Sequence, residues 1–202
     1  AALFGQDAAT TPASKSRQVP GDGSQTEKTT RLAAVNARLP KVDWRVSDPE
    51  EVLSIIDRNL GVLEEFVHQA GEQECDVLAF PEDTLGLLNW IGVNEEHMQQ
   101  VLPAAVQRML QRLGAAAASH DMYLVVCNDC LEADGAVYNT AFLLGPDGQE
   151  MGRYHKTCPT WSESGSRQRG TEFPVFETAE MGTVGMLICY DLVMPETARC
   201  LA

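Results

Sequence analysis

The chain has 202 residues, enough for one domain with a sizeable hydrophobic core, and its 44% hydrophobic content is typical of a globular protein. Lysine and arginine number 15 against 29 aspartates and glutamates, so the formal net charge is -14. This charge argues against nucleic acid and against an anionic membrane as partners, because both require clustered positive charge. No apolar run approaches the roughly 18 residues of a membrane-spanning helix.

Residues 1–30 are predicted to be a disordered tail. They are rich in small and polar residues and contain only three large apolar side chains, Leu3, Phe4 and Val19, so they cannot bury enough surface to offset the entropy of ordering. The sequence starts with alanine and shows no secretory leader pattern. We therefore expect either a removed leader or a fragment, which leaves an exported origin open.

From residue 31 onward, strand-like and helix-like patterns alternate, which predicts an α/β domain with helices covering a mixed sheet. Helices are expected to begin at Pro49 and His97, and a hairpin is expected around the Pro146-Asp147-Gly148 turn. The final helix, from Pro195, has only two turns, so we expect the C-terminal part of the domain to be missing. The predicted strands are 31–39, 76–81, 122–131, 137–144, 150–155, 173–177 and 183–188.

The strand 76–81 ends in proline and places Glu82 at the edge of the predicted sheet, in the segment LAFPED. A carboxylate there lies in the crevice where α/β proteins usually bind ligands. Desolvation in such a crevice raises the pKa of a glutamate toward the range that a general base or acid requires. The same pattern also fits an acidic residue at the start of a helix.

Cys127 and Cys130 form a C-x-x-C pattern within one predicted strand, which raises the alternative of a zinc or redox module. A structural zinc site needs four ligands, and no second pair follows. Positions three apart in a strand also point to opposite faces, which opposes both a disulfide and a shared metal. We expect no metal and six free thiols in a reducing, cytoplasmic compartment: Cys75, Cys127, Cys130, Cys158, Cys189 and Cys200.

The second hairpin strand ends at Lys156, in the segment GRYHKTCP. A lysine at a strand end can stabilise a developing oxyanion, although a lone lysine is usually a solvated cation. The neighbouring His155 is predicted to be a flanking polar residue and not a catalyst.

The apolar strand 183–188 stops at Cys189, and a tight turn and the Pro195-Glu196 helix start follow. Backbone N–H groups after the cysteine and a helix N-terminus can lower the pKa of a thiol at this place. That position suits a nucleophile. A small core hydrophobe is the alternative interpretation.

Together these three segments resemble the nitrilase, or carbon-nitrogen hydrolase, superfamily. The motifs FPED, GRYHKTCP and GMLICYDLVMPETAR occur in the family's order and spacing, and the resemblance covers residues 31–202, which are therefore expected to form the hydrolase domain. It implies an α-β-β-α sandwich and a catalytic triad of Glu82, Lys156 and Cys189 that needs no metal or organic cofactor. Members of the family commonly pair, so we also expect a homo-oligomer in which 194–202 forms part of the contact.

The resemblance further implies a second glutamate after the lysine. Glu163 matches this place and would hold the substrate amine or orient the triad, whereas the rival Glu172 is expected to lead into the next strand. In the implied mechanism the thiolate of Cys189 attacks an amide-type carbonyl, and the backbone N–H of Tyr190 helps to hold the oxyanion. A thioester forms and water releases the acid.

Tyr190-Asp191 follows the nucleophile, where true nitrilases usually carry Trp-Glu. This departure favours small amides or N-carbamoyl compounds over nitriles as substrates. Trp161 is a candidate for lining the pocket, or it caps its loop against the core. An inactive or partner-completed binding protein and an amide-forming acyltransferase stay open as alternatives.

Overall fold

The computed structural model describes residues 29–202 and is built on one mixed five-stranded sheet. The first three strands are parallel to one another, and the last two continue the sheet in antiparallel pairs. Their spatial order follows the chain: β1 (Leu32–Ala34), β2 (Val77–Ala79), β3 (Tyr123–Leu131), β4 (Val137–Leu144) and β5 (Glu150–His155). The predicted disordered tail lies outside the described residues except for its last two positions.

Two long helices, α1 (Pro49–Glu72) and α3 (Met98–Ala118), cover one face of this sheet. The Asp48 side chain accepts the N–H of Glu50 at 3.3 Å, and proline occupies the first turn, so the start of α1 is well capped. The apolar positions of α1 are buried against α3 and the sheet: Val52, Ile56, Leu60, Leu63 and Val67. A short helix, α2 (Leu88–Ile91), lies between β2 and α3.

A second, two-stranded sheet packs on the opposite face of the large sheet. Its strands β6 (Val175–Thr178) and β7 (Gly182–Gly185) form an antiparallel hairpin. The hairpin covers a separate apolar cluster that includes Tyr123, Leu143, Tyr154, Met186 and Ile188. The last helix, α4 (Pro195–Leu201), places Leu201 against Gly185 of β7. The layer order is therefore helix, sheet, sheet, helix, which confirms the predicted α/β sandwich.

Three predicted strands are much shorter than their sequence patterns indicate. The first two have only three residues each, and the last ends at Gly185 instead of continuing to Ile188. The N–H of Ile188 donates to the Asp191 carboxylate at 2.9 Å, so this backbone group is taken up by a side chain and not by a strand ladder. The residues Cys189–Val193 then form a 3-10 helix.

The C-x-x-C cysteines lie on opposite faces of β3, as the strand period predicts. Cys127 packs in the cluster under the hairpin, whereas Cys130 packs in the cluster under the helices. All six cysteines are unpaired. Within residues 29–202 no three His, Cys, Asp or Glu side chains are grouped as a metal site would require, and no helix has the length and apolarity to cross a membrane.

Candidate active site

Lys156 is the centre of a buried cluster of charged side chains. It directly follows β5, its backbone N–H donates to Asn139 O at 2.9 Å, and its side chain is 2% exposed. Its Nζ donates to Glu82 Oε1 at 2.8 Å and to the two carboxylate oxygens of Glu163 at 2.8 and 3.0 Å. The structure thus brings together three of the four residues that the sequence analysis assigned to catalysis.

Glu82 is placed by the way β2 ends. Pro81 has no backbone N–H to donate to a neighbouring strand, and Asp83, two residues later, has a left-handed φ of 60°. The Asp83 carboxylate accepts the N–H groups of Leu87 and Leu88 at 2.7 and 3.0 Å, which turns the chain away from the sheet. Burial raises the pKa of Asp83 to about 6. Glu82 is consequently held at the rim, with its side chain partly exposed.

Glu163 lies in a tight turn after β5 and is held as an anion. Its Oε2 accepts both the N–H and the hydroxyl of Thr160 at 2.7 Å. Burial acts to raise the pKa of Glu163, but hydrogen bonds from Lys156, Thr160 and Asn139 outweigh it and lower the pKa to about 2. Burial likewise acts to lower the pKa of Lys156, and its two glutamate partners raise it above its ordinary value. Lys156 therefore stays a cation.

Cys189 opens the 3-10 helix in a strained backbone conformation. Its φ of 47° lies in the left-handed region, which costs a non-glycine residue about 1–3 kcal/mol. The residue is exposed, and its thiol reaches the Glu82 carboxylate. Burial of the sulfur, the hydrogen bond to Glu82 and the negative charge of Glu82 raise the pKa of the thiol. The expectation of a lowered pKa is therefore wrong, because burial of the sulfur and the adjacent Glu82 carboxylate together raise the pKa, and α4 begins only at Pro195.

Asn139 is a member of the cluster that the sequence analysis did not identify. This β4 residue donates from Nδ2 to Glu82 Oε1 at 2.6 Å and to Glu163 Oε1 at 2.8 Å. Its Oδ1 lies 3.3 Å from the Cys127 sulfur. One amide therefore joins the two carboxylates that share Lys156. The sequence did contain a signal for Asn139, because an asparagine within an apolar strand indicates a buried amide, and a buried amide needs polar partners.

Asp191 is a second residue whose role the sequence analysis missed. Its side chain is fully buried and accepts hydrogen bonds from Tyr154 Oη at 2.7 Å, Ile188 N at 2.9 Å, Cys158 N at 2.8 Å and Thr157 Oγ1 at 3.3 Å. Two of these donors follow Lys156 and one precedes Cys189. The carboxylate thus ties the strand end that carries the lysine to the turn that carries the cysteine.

Replacing Asp191 with asparagine is expected to destabilise the fold and to slow turnover. An asparagine amide has two acceptor sites fewer than a carboxylate, and its own N–H groups would face the donors around position 191. Buried donors therefore lose their acceptor, which costs about 1–3 kcal/mol for each lost hydrogen bond. We expect the free energy of unfolding to fall by about 2–4 kcal/mol and kcat to fall about tenfold. Urea unfolding and steady-state kinetics measure both. The exposed Asp134→Asn variant is the control, and an Asp191→Asn protein as stable as this control would contradict the prediction.

A cavity of about 420 Å³ opens beside the cluster. Its lining includes all four predicted catalytic side chains, together with groups from α2 and from the Glu163 turn: Glu82, Lys156, Glu163, Cys189, Leu88, Asn89, Gly92, Thr160, Ser162 and Arg167. This volume suits a small molecule. Carboxylate, ammonium and thiol side chains all line this cavity, and this is the set of groups that nucleophilic acyl chemistry needs.

The remaining predicted site residues are not among those that line this cavity. The N–H of Tyr190, directly after Cys189, donates to no oxygen within the described part of the chain. Trp161 is 96% exposed and is not among the residues that line the cavity, nor does it cap its loop against the core. Glu172 lies on the surface ahead of β6, in keeping with the expectation that it leads into a strand.

Comparison with known proteins gives consistent matches. The sequence model of the family described as "Carbon-nitrogen hydrolase" matches residues 31–202. Deaminated glutathione amidase from Synechocystis sp. is 29% identical over 163 residues, which covers 73% of this chain and 57% of the relative. An (R)-stereoselective amidase from Pseudomonas sp. is 33% identical over 129 residues, covering 64% of this chain and 44% of the relative.

A solved structure agrees with these sequence matches. An amidase from Nesterenkonia sp. superposes with a TM-score of 0.61 at 24% identity, over 85% of this chain and 59% of the amidase. At this level of identity the superposition establishes a common fold. The matched part of the chain spans between 44% and 59% of the length of these relatives.

Proposed function

The chain belongs to the carbon-nitrogen hydrolase family, and from this premise we propose that it hydrolyses a non-peptide carbon-nitrogen bond of a small amide or N-carbamoyl compound. The observation that carries the proposal is the burial of Lys156 between two carboxylates beside an accessible thiol, all facing one cavity. A lysine that only interacted with solvent would not be 2% exposed.

In the proposed first step Glu82 takes the proton of the Cys189 thiol as the sulfur attacks the carbonyl carbon. The raised pKa of the thiol supports this role for Glu82, because a protonated nucleophile needs a base within reach. The carbonyl oxygen becomes an oxyanion, which Lys156 and the N–H of Tyr190 stabilise. The tetrahedral intermediate then collapses, and Glu82 returns its proton to the leaving ammonia or amine.

In the proposed second step a water molecule attacks the thioester carbon on Cys189. Glu82 takes a proton from the water, the acid product leaves, and the thiol is restored with that proton. Glu163 is already anionic and fully hydrogen-bonded, so we assign it to holding Lys156 in place and not to proton transfer. An acyltransferase would use the same residues to pass the acyl group from Cys189 to an amine. The two activities differ in the acceptor, which is water for a hydrolase and an amine for an acyltransferase.

The function is tested by a substrate panel assayed for ammonia. The panel holds aliphatic amides, N-carbamoyl amino acids and, for the best amide, the nitrile of the same carbon skeleton. We expect release from at least one amide or carbamoyl compound and at least about tenfold slower release from the matched nitrile. Release from the nitrile alone would contradict the amide assignment. Folded protein without activity on any member, with or without added hydroxylamine as acceptor, would favour the inactive, binding alternative.

Homo-oligomer formation is part of the same proposal. Leu192 and Val193, between the nucleophile and α4, are 71% and 61% exposed, which is unusual for adjacent large apolar residues. They adjoin the segment 194–202 that was expected to take part in the contact. Sedimentation of the wild type beside a Leu192→Glu, Val193→Lys variant tests this: a monomeric wild type would contradict it.

A further inference from the structure

A buried ion pair lies next to the catalytic cluster and has no part in the mechanism above. Arg167 donates from Nη2 to Asp129 Oδ2 at 2.7 Å, and its Nε lies 3.2 and 3.3 Å from the two carboxylate oxygens. The two side chains are 7% and 5% exposed. The Asp57–Arg108 pair between α1 and α3, by contrast, has side chains 45% and 37% exposed. Burying two charges is costly, so such a pair calls for a functional explanation.

Arg167 belongs to the turn that carries Glu163. Its backbone N–H donates to Glu163 O at 2.8 Å, and the N–H of the next residue, Gln168, donates to Val137 O at 2.7 Å. Its Nη1 donates to the Ser166 hydroxyl at 2.8 Å. Arg167 is also among the residues that line the active-site cavity. Arg167 is therefore joined both to the backbone of the turn and, through Asp129, to the large sheet.

Asp129 is placed on β3 directly opposite a member of the site. In the antiparallel register of β3 and β4 it pairs with Asn139, the amide that joins Glu82 and Glu163. The negative charges of Glu82 and Glu163 act on Asp129, and the positive charge of Arg167 acts in the opposite sense. The pair is thus electrically coupled to the two carboxylates that surround Lys156.

We propose that the Asp129–Arg167 pair is a positioning device for the active site, which anchors the Glu163 turn to β3 and balances the charge beside the catalytic glutamates. Neither residue touches the reacting atoms. The bidentate fork fixes the orientation of the turn, and so the place of Glu163 beside Lys156. The inference rests on the proposed function, but its main test uses the Cys189 thiol and needs no substrate.

The test compares Asp129→Asn with Arg167→Gln. For each protein, alkylation of Cys189 by iodoacetamide is followed across a pH series by peptide mass spectrometry, which separates Cys189 from the other cysteines. The charged groups with the largest effect on this thiol, Glu82, Lys156 and Glu163, are retained in every variant, so a change in the midpoint reports the charge removed from the Asp129–Arg167 pair.

Removing the negative charge of Asp129 favours the thiolate, so the pH midpoint of alkylation should fall by about 0.5 unit in Asp129→Asn. Removing the positive charge of Arg167 should raise the midpoint by about the same amount in Arg167→Gln. Shifts of opposite sign support the proposal. A purely structural pair would give no shift, or shifts of the same sign, in proteins with wild-type circular dichroism, and either result would overturn it.

Two further variants keep the test decisive if a single substitution does not fold. Arg167→Lys retains the charge but not the fork, so the midpoint should stay at the wild-type pH while kcat falls about tenfold with KM little changed. The double variant Asp57→Asn, Arg108→Gln removes the exposed helix pair and is the matched control, with wild-type midpoint and kcat. Wild-type kcat in Arg167→Lys would overturn the positioning role.

If the wild-type protein hydrolyses no member of the substrate panel, the proposed function fails. The pH midpoints of Cys189 alkylation still decide this inference in that case.

Discussion

Replacing Cys189 with alanine is expected to abolish hydrolysis, with kcat at least about 10⁴-fold lower than in the wild type. The methyl group leaves the cavity, Lys156 and both glutamates in place, but no atom remains that can form the thioester. Ammonia release from the best substrate of the panel measures the loss. Mass spectrometry of the wild type during turnover should also find the acyl group on the peptide that contains Cys189.

The control for this variant is Cys200→Ala, which removes an exposed, unpaired thiol from α4. It should retain wild-type kcat, since Cys200 is absent from the cavity lining. Substantial turnover in Cys189→Ala would show that the nucleophile is another group, such as water activated directly by Glu82.

Replacing Lys156 with methionine is expected to give the second largest effect. Methionine has a similar length but no charge, so the oxyanion loses its charged donor and kcat should fall about 10³-fold. The buried carboxylate of Glu163 and the partly exposed carboxylate of Glu82 are then left together without their cation. Breaking a buried pair in this way costs about 3–5 kcal/mol, which urea unfolding should show as a lower free energy of unfolding.

A compensating substitution separates these two effects. Adding Glu163→Gln to Lys156→Met removes one of the stranded charges, so most of the lost stability should return while kcat stays low. The control is Arg58→Met, which also replaces a basic side chain by methionine, at an exposed position of α1. It should leave both the free energy of unfolding and kcat unchanged. Recovery of turnover together with stability in the double variant would mean that Lys156 acts only as a structural cation.

The sequence alone was sufficient for the fold class and the family. Strand ends followed by Glu82, Lys156 and Cys189 are local patterns, and an alternating order of strands and helices leaves few ways to build the sheet. The motif resemblance is confirmed by the family match over residues 31–202. The strand period by itself also places Cys127 and Cys130 on opposite faces of the sheet, because side chains alternate along a strand.

What the sequence could not decide is which distant polar groups meet. Asn139 between two carboxylates, the four donors around Asp191, and the pairing of Asp129 with Arg167 all join residues from different elements. No local pattern encodes these partners.

The same limit applies to the chemistry of individual groups. The pKa of the Cys189 thiol is raised by burial and by the nearby Glu82 carboxylate, neither of which its own segment reveals, and Trp161 lies in solvent although it was a candidate for lining the pocket. Local periodicity and turn chemistry thus determined the elements, and the motif resemblance together with the strand ends determined the candidate residues. Only the tertiary structure decided the charges, hydrogen bonds and exposure, because these depend on atoms that are close in space and remote in the chain.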